Sequence, residues 1–239
     1  MPGLDDIIDP EINKMTQSYH FIQEYIKRVP VKTILEIGGG GGGSTEAVIK
    51  GVIDSGNKDV RFASIELSKG RFNNLKDKYK FIDFYIPYNT SSVTLDKLPS
   101  EEEVSKFIIE TGVHGGNVPE VLRWLRQDIE YTNKNGLNEN GIQKVKDDLK
   151  VNSFSFVILD SGEFCSNAEF KELPDCDAYF LDDIHAYKNW FVHRKLEQDN
   201  HYIKLFQEDI RGGSSLFCKR EIKDKFFHSL HTQTQLKSV

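Results

Sequence analysis

Residues Thr33 to Thr45 read TILEIGGGGGGST, so six consecutive glycines follow what looks like the end of a buried strand. Each glycine costs roughly 0.5–1 kcal/mol of extra chain entropy relative to alanine in a regular element. Such a run in an otherwise complex sequence calls for either disorder or a ligand that must lie against bare backbone. Flexible linkers rarely sit between a buried strand and a capped helix. The run is also the only low-complexity piece, and the chain shows no internal repeat.

The patterning around the glycines is that of alternating helices and strands. Residues 11–29 carry apolar side chains at Ile12, Met15, Tyr19, Ile22, Tyr25 and Ile26, which is helical spacing, and Pro30 stops it. Thr33–Ile37 is the first strand, and Ser44 or Thr45 is the expected cap of a helix through about Ser55. Val60–Leu67 and Phe81–Pro87 read as further strands, with a helix from Ser68 to Tyr79 between them. Residues 98–149 are too long for a normal crossover. Part of that stretch reads as a helical insertion, a candidate lid or partner surface, opening at Ser100 with acids in its first turn. FSFVIL (Phe154–Leu159) is a strand ending on Asp160, and a short helix follows at Ala168–Leu173. AYFL (Ala178–Leu181) is a strand ending on Asp182 and Asp183. A helix near Tyr187–Glu197 precedes a hairpin around Arg211, Gly212 and Gly213. After about Lys223 the sequence is polar and weakly patterned. Phe164, Phe170, Tyr179 and Phe180 read as core, and Trp124 as part of a buried helix face.

This order predicts an α/β fold, a mostly parallel sheet with helices on both faces and an antiparallel hairpin at its C-terminal end. A length of 239 residues suits one such domain carrying an insertion. Ligands in these sheets bind at the carboxyl ends of the strands. The glycine run, Glu66, Asp160 and the pair Asp182 and Asp183 all fall there. A net charge of −6 argues against a nucleic-acid partner. We find no basic, apolar leader at the start and no run near the roughly 20 apolar residues that cross a bilayer. The three cysteines (Cys165, Cys176, Cys218) have no metal-type pairing, and their odd number suits a reducing compartment. The cytoplasm is the expected location.

The glycines fit two templates. Gly38, Gly40 and Gly43 satisfy G-x-G-x-x-G, the dinucleotide fingerprint, while Glu36, Gly38, Gly40 and Gly42 satisfy E-x-G-x-G-x-G. Glu36 suits a cationic amino group, such as that of S-adenosylmethionine, better than a pyrophosphate. Glu66 ends the second strand, where a carboxylate can accept hydrogen bonds from a ribose diol in either family. A dehydrogenase would normally need a further catalytic domain.

From about Lys32 to Arg220, with the 98–149 stretch outside, the sequence resembles the class I S-adenosylmethionine-dependent methyltransferases. LEIGGGGGGS is similar to their first motif, SIEL to their second-strand acid, and FVILD and YFLDD to their fourth and fifth strands. The resemblance implies that Glu36, Gly38, Gly39, Gly40, Gly42 and Glu66 contact the cofactor. It also implies that YNTSS (Tyr88 to Ser92), with Ser92, holds the adenine.

Asp160, Asp182 and Asp183 form a second cluster. Three carboxylates cannot stay ionised together without a counter-charge. A divalent cation held by oxygens (Mg²⁺, Mn²⁺ or Ca²⁺) is the usual one. Otherwise one acid of the Asp182–Asp183 pair caps the next helix and the other is solvated. The pattern resembles metal-dependent O-methyltransferases, including those acting on macrolide sugars, and the related cephalosporin-hydroxylase type. This sequence departs from them at Glu163, where many relatives carry a histidine as candidate base. Glu163 is then base, ligand or surface residue. His185 is the other candidate base, and Lys188 would orient substrate or neutralise the acids. His114, in a glycine-flanked turn, is a further candidate for meeting substrate. The expected function is S-adenosylmethionine-dependent methylation of a hydroxyl on a small metabolite or sugar, in a chain that could dimerise through its first helix or insertion. The alternatives are a nicotinamide-dependent enzyme and a catalytically inactive binding module.

Overall fold

The first strand, β1 (Thr33–Ile37), is buried along its whole length, as TILEI demands of a strand covered on both faces. The computed structural model describes residues 5, 6 and 8–227. Six more strands join β1: β2 (Arg61–Ile65), β3 (Tyr85–Tyr88), β4 (Phe156–Leu159), β5 (Ala178–Asp182), β6 (Tyr202–Glu208) and β7 (Ser214–Lys219). The sheet order is β3-β2-β1-β4-β5-β7-β6. The first five strands run parallel, and β7 is antiparallel to both β5 and β6. The hairpin predicted around Arg211 thus closes one edge of the sheet.

Alternation along the strands feeds two cores. Ile34, Phe62, Ile158 and Phe180 point to one face, where α1 (Gln17–Arg28) and α2 (Gly43–Ser55) bury Ile22, Tyr25, Ile26, Val48 and Val52. Leu75 of α3 (Lys69–Lys78) joins that face. Leu35, Ala63, Val157 and Leu181 point to the other, beneath α6 (Gly141–Leu149), α7 (Ser166–Glu172) and α8 (Tyr187–Gln198). Two helices precede α6 in the chain, α4 (Glu101–Thr111) and α5 (Val118–Lys134). They pack on each other through Val104, Phe107, Ile108, Val121 and Leu125, and reach Phe164 and Tyr187. Ser100 and Glu103 form the reciprocal N-terminal cap that the sequence signalled.

Some boundaries differ from the expectation for physical reasons. The first helix begins only at Gln17, where the Thr16 hydroxyl accepts from Tyr19 N–H. Residues 8–12 instead run across the glycine loop. Neither Ser44 nor Thr45 caps α2: the cap is Gly42 at φ 83°, and both hydroxyls turn elsewhere. Phe81 is outside β3 and 84% exposed, because a turn at Tyr79–Ile82 delays the strand. Residues 220–227 are helical, with Ile222 and Phe226 in the core, although the sequence there looked unpatterned. The polar end beyond them lies outside the described residues.

The N-terminal strap is fitted to glycine. A Cβ on Gly43 would stand 1.6 Å from the Ile12 carbonyl oxygen. Gly43→Ala should therefore lift the strap at a cost of about 1–3 kcal/mol. The helical propensity gained by alanine offsets at most about 1 kcal/mol of that. Hydrogen exchange should accelerate over residues 8–16 while β1 and β4 keep their protection.

Candidate active site

A cavity of about 310 Å³ opens at the carboxyl ends of the parallel strands, with Gly40, Glu66, Ser92, Asp128, Asp160 and Lys188 in its wall. The glycine loop forms its floor. Gly38 N–H donates to Ile65 O at 2.9 Å, which ties the loop to β2. A Cβ on Gly38 would lie 2.0 Å from the Asp160 carbonyl oxygen, so the loop can approach β4 only as glycine. Gly39 and Gly42 both lie against Leu75 of α3. Gly40, at φ +50°, is the one whose missing side chain leaves open space.

Glu66 is almost fully buried and grips this turn. Its two carboxylate oxygens accept from Gly40 N–H and Ser68 N–H, each at 2.8 Å. Burial raises its pKa against those bonds. A carboxylate has about four acceptor positions, so two remain for hydroxyls in the cavity. Asn89 holds the same turn from β3, donating to Glu66 O and Leu67 O at 2.9 and 3.0 Å.

Glu36 is placed differently from the sequence expectation. It is fully buried and does not line the cavity. Its carboxylate accepts from Ser44 (2.7 Å), Thr45 (2.8 Å) and Ser64 (2.6 Å). Burial pushes its pKa up, and the three hydroxyls pull it back. Its visible work is to hold the first turn of α2 against β1 and β2. Replacing Glu36 by leucine strands these hydroxyls in a dry site. Unfolding experiments should show a loss of about 3 kcal/mol, the order expected for orphaned buried groups.

The wall beyond the glycines is built around a residue that sequence reasoning missed. Glu169 of α7 is fully buried and accepts from Ser92 at 2.5 Å and from Ser161 at 2.9 Å. It thereby joins the segment after β3 to the segment after β4. Burial pushes its pKa up to about 7 despite those two bonds. Ser91 anchors the same segment to the loop after α5, its one hydroxyl proton placed between Leu137 O and Glu139 O, each 2.7 Å from the hydroxyl oxygen.

Asp160, Asp182 and Asp183 do converge: one oxygen from each lies within 4.8 Å of the others. Asn189 of α8 sets the ends of β4 and β5, donating to Leu159 O at 2.9 Å and Asp182 O at 2.5 Å. Asp183 sits at φ 54°, in the left-handed region, and Gly212 leaves room for it: a Cβ there would meet its Oδ1 at 1.9 Å. The counter-charge is present in the chain itself. Lys188 Nζ donates to Asp160 Oδ1 and, at 3.1 Å, to Asp183 Oδ2. Burial works against the ammonium, but Asp160, Asp183 and Asp182 outweigh it and hold it charged well above the usual lysine range. Burial and the neighbouring Asp160 charge push Asp182 up to about 8. A divalent ion would have to share this cluster with a resident cation, so the residues do not fit a metal as they stand.

The two candidate bases lie away from the acids. His185 is half-exposed and pairs with Asp209 at 3.1 Å, outside the cavity wall. Glu163 pairs with His114 at 2.7 Å, and that bond raises the histidine pKa, as does the nearby charge of Glu163. The His114 ring meets Trp124 edge-on at 5.2 Å. Asp128 of α5, which no motif announced, is the acid that lines the cavity from this side. A Cβ on Gly162 would stand 3.4 Å from its Oδ2. Burial pushes Asp128 up to about 6, with the Glu163 charge adding to it.

No family model matches the chain, and no curated protein matches it in sequence. Solved structures do match its fold. An O-methyltransferase from Bacillus cereus in complex with SAH superposes with a TM-score of 0.52 at 12% identity, covering 88% of this chain and 84% of that one. A proposed O-methyltransferase from Klebsiella pneumoniae gives 0.53 at 11% identity, covering 92% and 91%. A proposed caffeoyl-CoA O-methyltransferase from Staphylococcus aureus gives 0.50 at 13%, covering 88% and 86%. The sheet order, with β7 inserted antiparallel between β5 and β6, decides the matter. The chain has the class I methyltransferase fold. Among the described residues, no helix is long and apolar enough to cross a membrane.

Within this methyltransferase fold, Glu169 makes the cavity wall sensitive to pH. Its folded pKa lies above the ordinary carboxylate value, so its contribution to stability is complete below about pH 4.5 and is lost as pH rises through about 7. The loss is about 3 kcal/mol. Chemical denaturation across this range should show the decline in the wild type and a flatter profile in Glu169→Gln.

Proposed function

We propose that this chain is an S-adenosylmethionine-dependent methyltransferase acting on a hydroxyl of a small metabolite or sugar. The observation that carries the reading is the cavity edge formed by Gly40 and Glu66, where a bare glycine faces open space beside a buried carboxylate. The residues fit the cofactor. Glu66 keeps acceptor positions for a ribose diol, and the start of α2 brings its positive end to the same loop. Gly38, Gly39 and Gly42 shape the loop, and Glu36 fixes it from below. Ser92, held by Glu169, lines the segment where the adenine belongs. S-adenosylmethionine, when bound, supplies a methyl group on a positively charged sulfur.

The chain's own residues then have two tasks, since alignment does most of the work in methyl transfer. Asp160 and Lys188 border the cavity and orient the acceptor hydroxyl. Asp128 would take the proton of that hydroxyl on a carboxylate oxygen, leaving the acceptor oxygen free to receive the methyl group. The carboxylate has no hydrogen-bond partner from the other described residues, which leaves it free for a substrate. The helices α4 and α5, which carry Asp128, form the lid in this reading. The reported O-methyltransferase neighbours are consistent with the assignment through their fold. A nicotinamide enzyme is less well supported, because a dinucleotide sheet runs parallel where β7 here is reversed.

Calorimetric titration with S-adenosylhomocysteine should show micromolar binding that weakens at least tenfold in Glu66→Ala, with no heat from NAD. NAD binding in place of the methyl-donor product would sink the assignment. Once a substrate is found, kcat should rise with pH through about 6, because Asp128 must be ionised to accept a proton. Asp128→Asn should lower kcat about 100-fold or more and abolish that limb.

A further inference from the structure

The acidic cluster holds a cation from its own chain, and its position decides what chemistry the cluster can perform. Asp160 and Asp183 both accept from Lys188 Nζ, and Asp182 lies within the same 4.8 Å group. Lys188 leaves α8 one turn beyond Asp183, with its side chain only 8% exposed. Asn189, next in sequence, is fully buried and bonded to the ends of β4 and β5, so the helix start cannot slide away from the carboxylates. Asp183 is itself locked by its left-handed backbone and the Gly212 contact. The ammonium is therefore fixed on two of the three acids that a bound ion would use.

We propose that Lys188 is the permanent cation of this site, and that it replaces a divalent metal. The proposal rests on the methyltransferase reading for the identity of the reaction, but the cation assignment itself rests on geometry. An ammonium has three donors. Two are taken by Asp160 and Asp183, which leaves one for a substrate oxygen at the cavity wall that Lys188 helps to line. Lys188 thus positions and polarises the acceptor hydroxyl, while its proton leaves for another group. An acceptor then needs one oxygen within reach of Lys188, rather than the two adjacent oxygens that a chelating ion demands. Simple alcohols and isolated sugar hydroxyls then suffice as acceptors, and a vicinal diol is not required.

Manganese binding tests this without any substrate. Metal-stripped protein is titrated with Mn²⁺ and free ion is followed by electron paramagnetic resonance, with S-adenosylhomocysteine calorimetry run in parallel with and without EDTA. The wild type should leave millimolar Mn²⁺ free, and its cofactor-product affinity should not change with EDTA. Lys188→Met, which removes the ammonium and keeps the apolar stem, should bind one Mn²⁺ at least tenfold more tightly than the wild type. Asp160→Asn in that background should abolish the gain. Tight Mn²⁺ binding by the wild type, lost in Asp160→Asn, would overturn the proposal. A folded Lys188→Met protein with no gain in Mn²⁺ affinity would also overturn it. Should that variant not fold, the wild-type titration decides alone. Absence of S-adenosylhomocysteine binding would instead defeat the methyltransferase reading and leave the cation assignment standing.

Discussion

The site depends on a carboxylate that never meets solvent. Glu36 sits next to the carboxyl end of β1 in a fully buried position, and Ser44, Thr45 and Ser64 all donate to it. A buried carboxylate without such partners would be too costly to keep. With them, it becomes a fixed joint between β1, β2 and the first turn of α2. The glycine loop has little stiffness of its own, and its shape is set by what surrounds it: Glu36 below, Glu66 on one side, the β4 terminus on the other and the N-terminal strap above. This explains why so many glycines are needed. Within the run, only Gly40 faces open space. Gly38 and Gly43 are glycine because other backbone passes where a side chain would stand.

The same logic of fixed charges governs the far side of the cavity. Three acids come together because β4 and β5 are neighbours and aspartates stand at or just after the carboxyl end of each. Their mutual repulsion has to be balanced within a poorly hydrated site. Lys188 supplies that balance from the helix that follows β5, and Asn189 fixes the helix in place. An internal cation needs no loading step and is oriented before substrate arrives. It also polarises an oxygen less strongly than a doubly charged ion would, which makes a separate proton acceptor more important. Asp128 reaches the cavity from α5, a helix outside the sheet's own covering layers.

What the sequence made legible follows from the range of the interactions involved. Strand alternation and the order of elements are local signals, and they led to the sheet and its reversed edge. Glu66 and the three aspartates could be found because each stands at a strand end, where the fold makes position meaningful. Glu169, Asn189 and Asp128 could not be found in this way. Each lies on a helix among other polar residues, and only folding brings Glu169 to Ser92, 77 positions away. Ser44 and Thr45 misled for a related reason. A hydroxyl at a helix start usually caps it by accepting from a backbone N–H, but the Ser44 hydroxyl is instead turned to donate to a buried carboxylate eight residues earlier.

Glu163 and His185 show the limit of reading roles from spacing. Position three after Asp160 suggested a base, yet Glu163 is turned to His114, in the turn between α4 and α5, and makes a link between the β4 loop and those two helices. His185 follows Asp183 by two residues, but the chain reverses direction at the left-handed Asp183 and carries the ring toward Asp209. Lys188, three residues further, returns to the acids because α8 has then begun. One residue with an unusual backbone conformation thus determines which of two basic side chains faces the cavity. The cluster keeps a lysine that its acids hold charged, while the His185 ring is turned to Asp209.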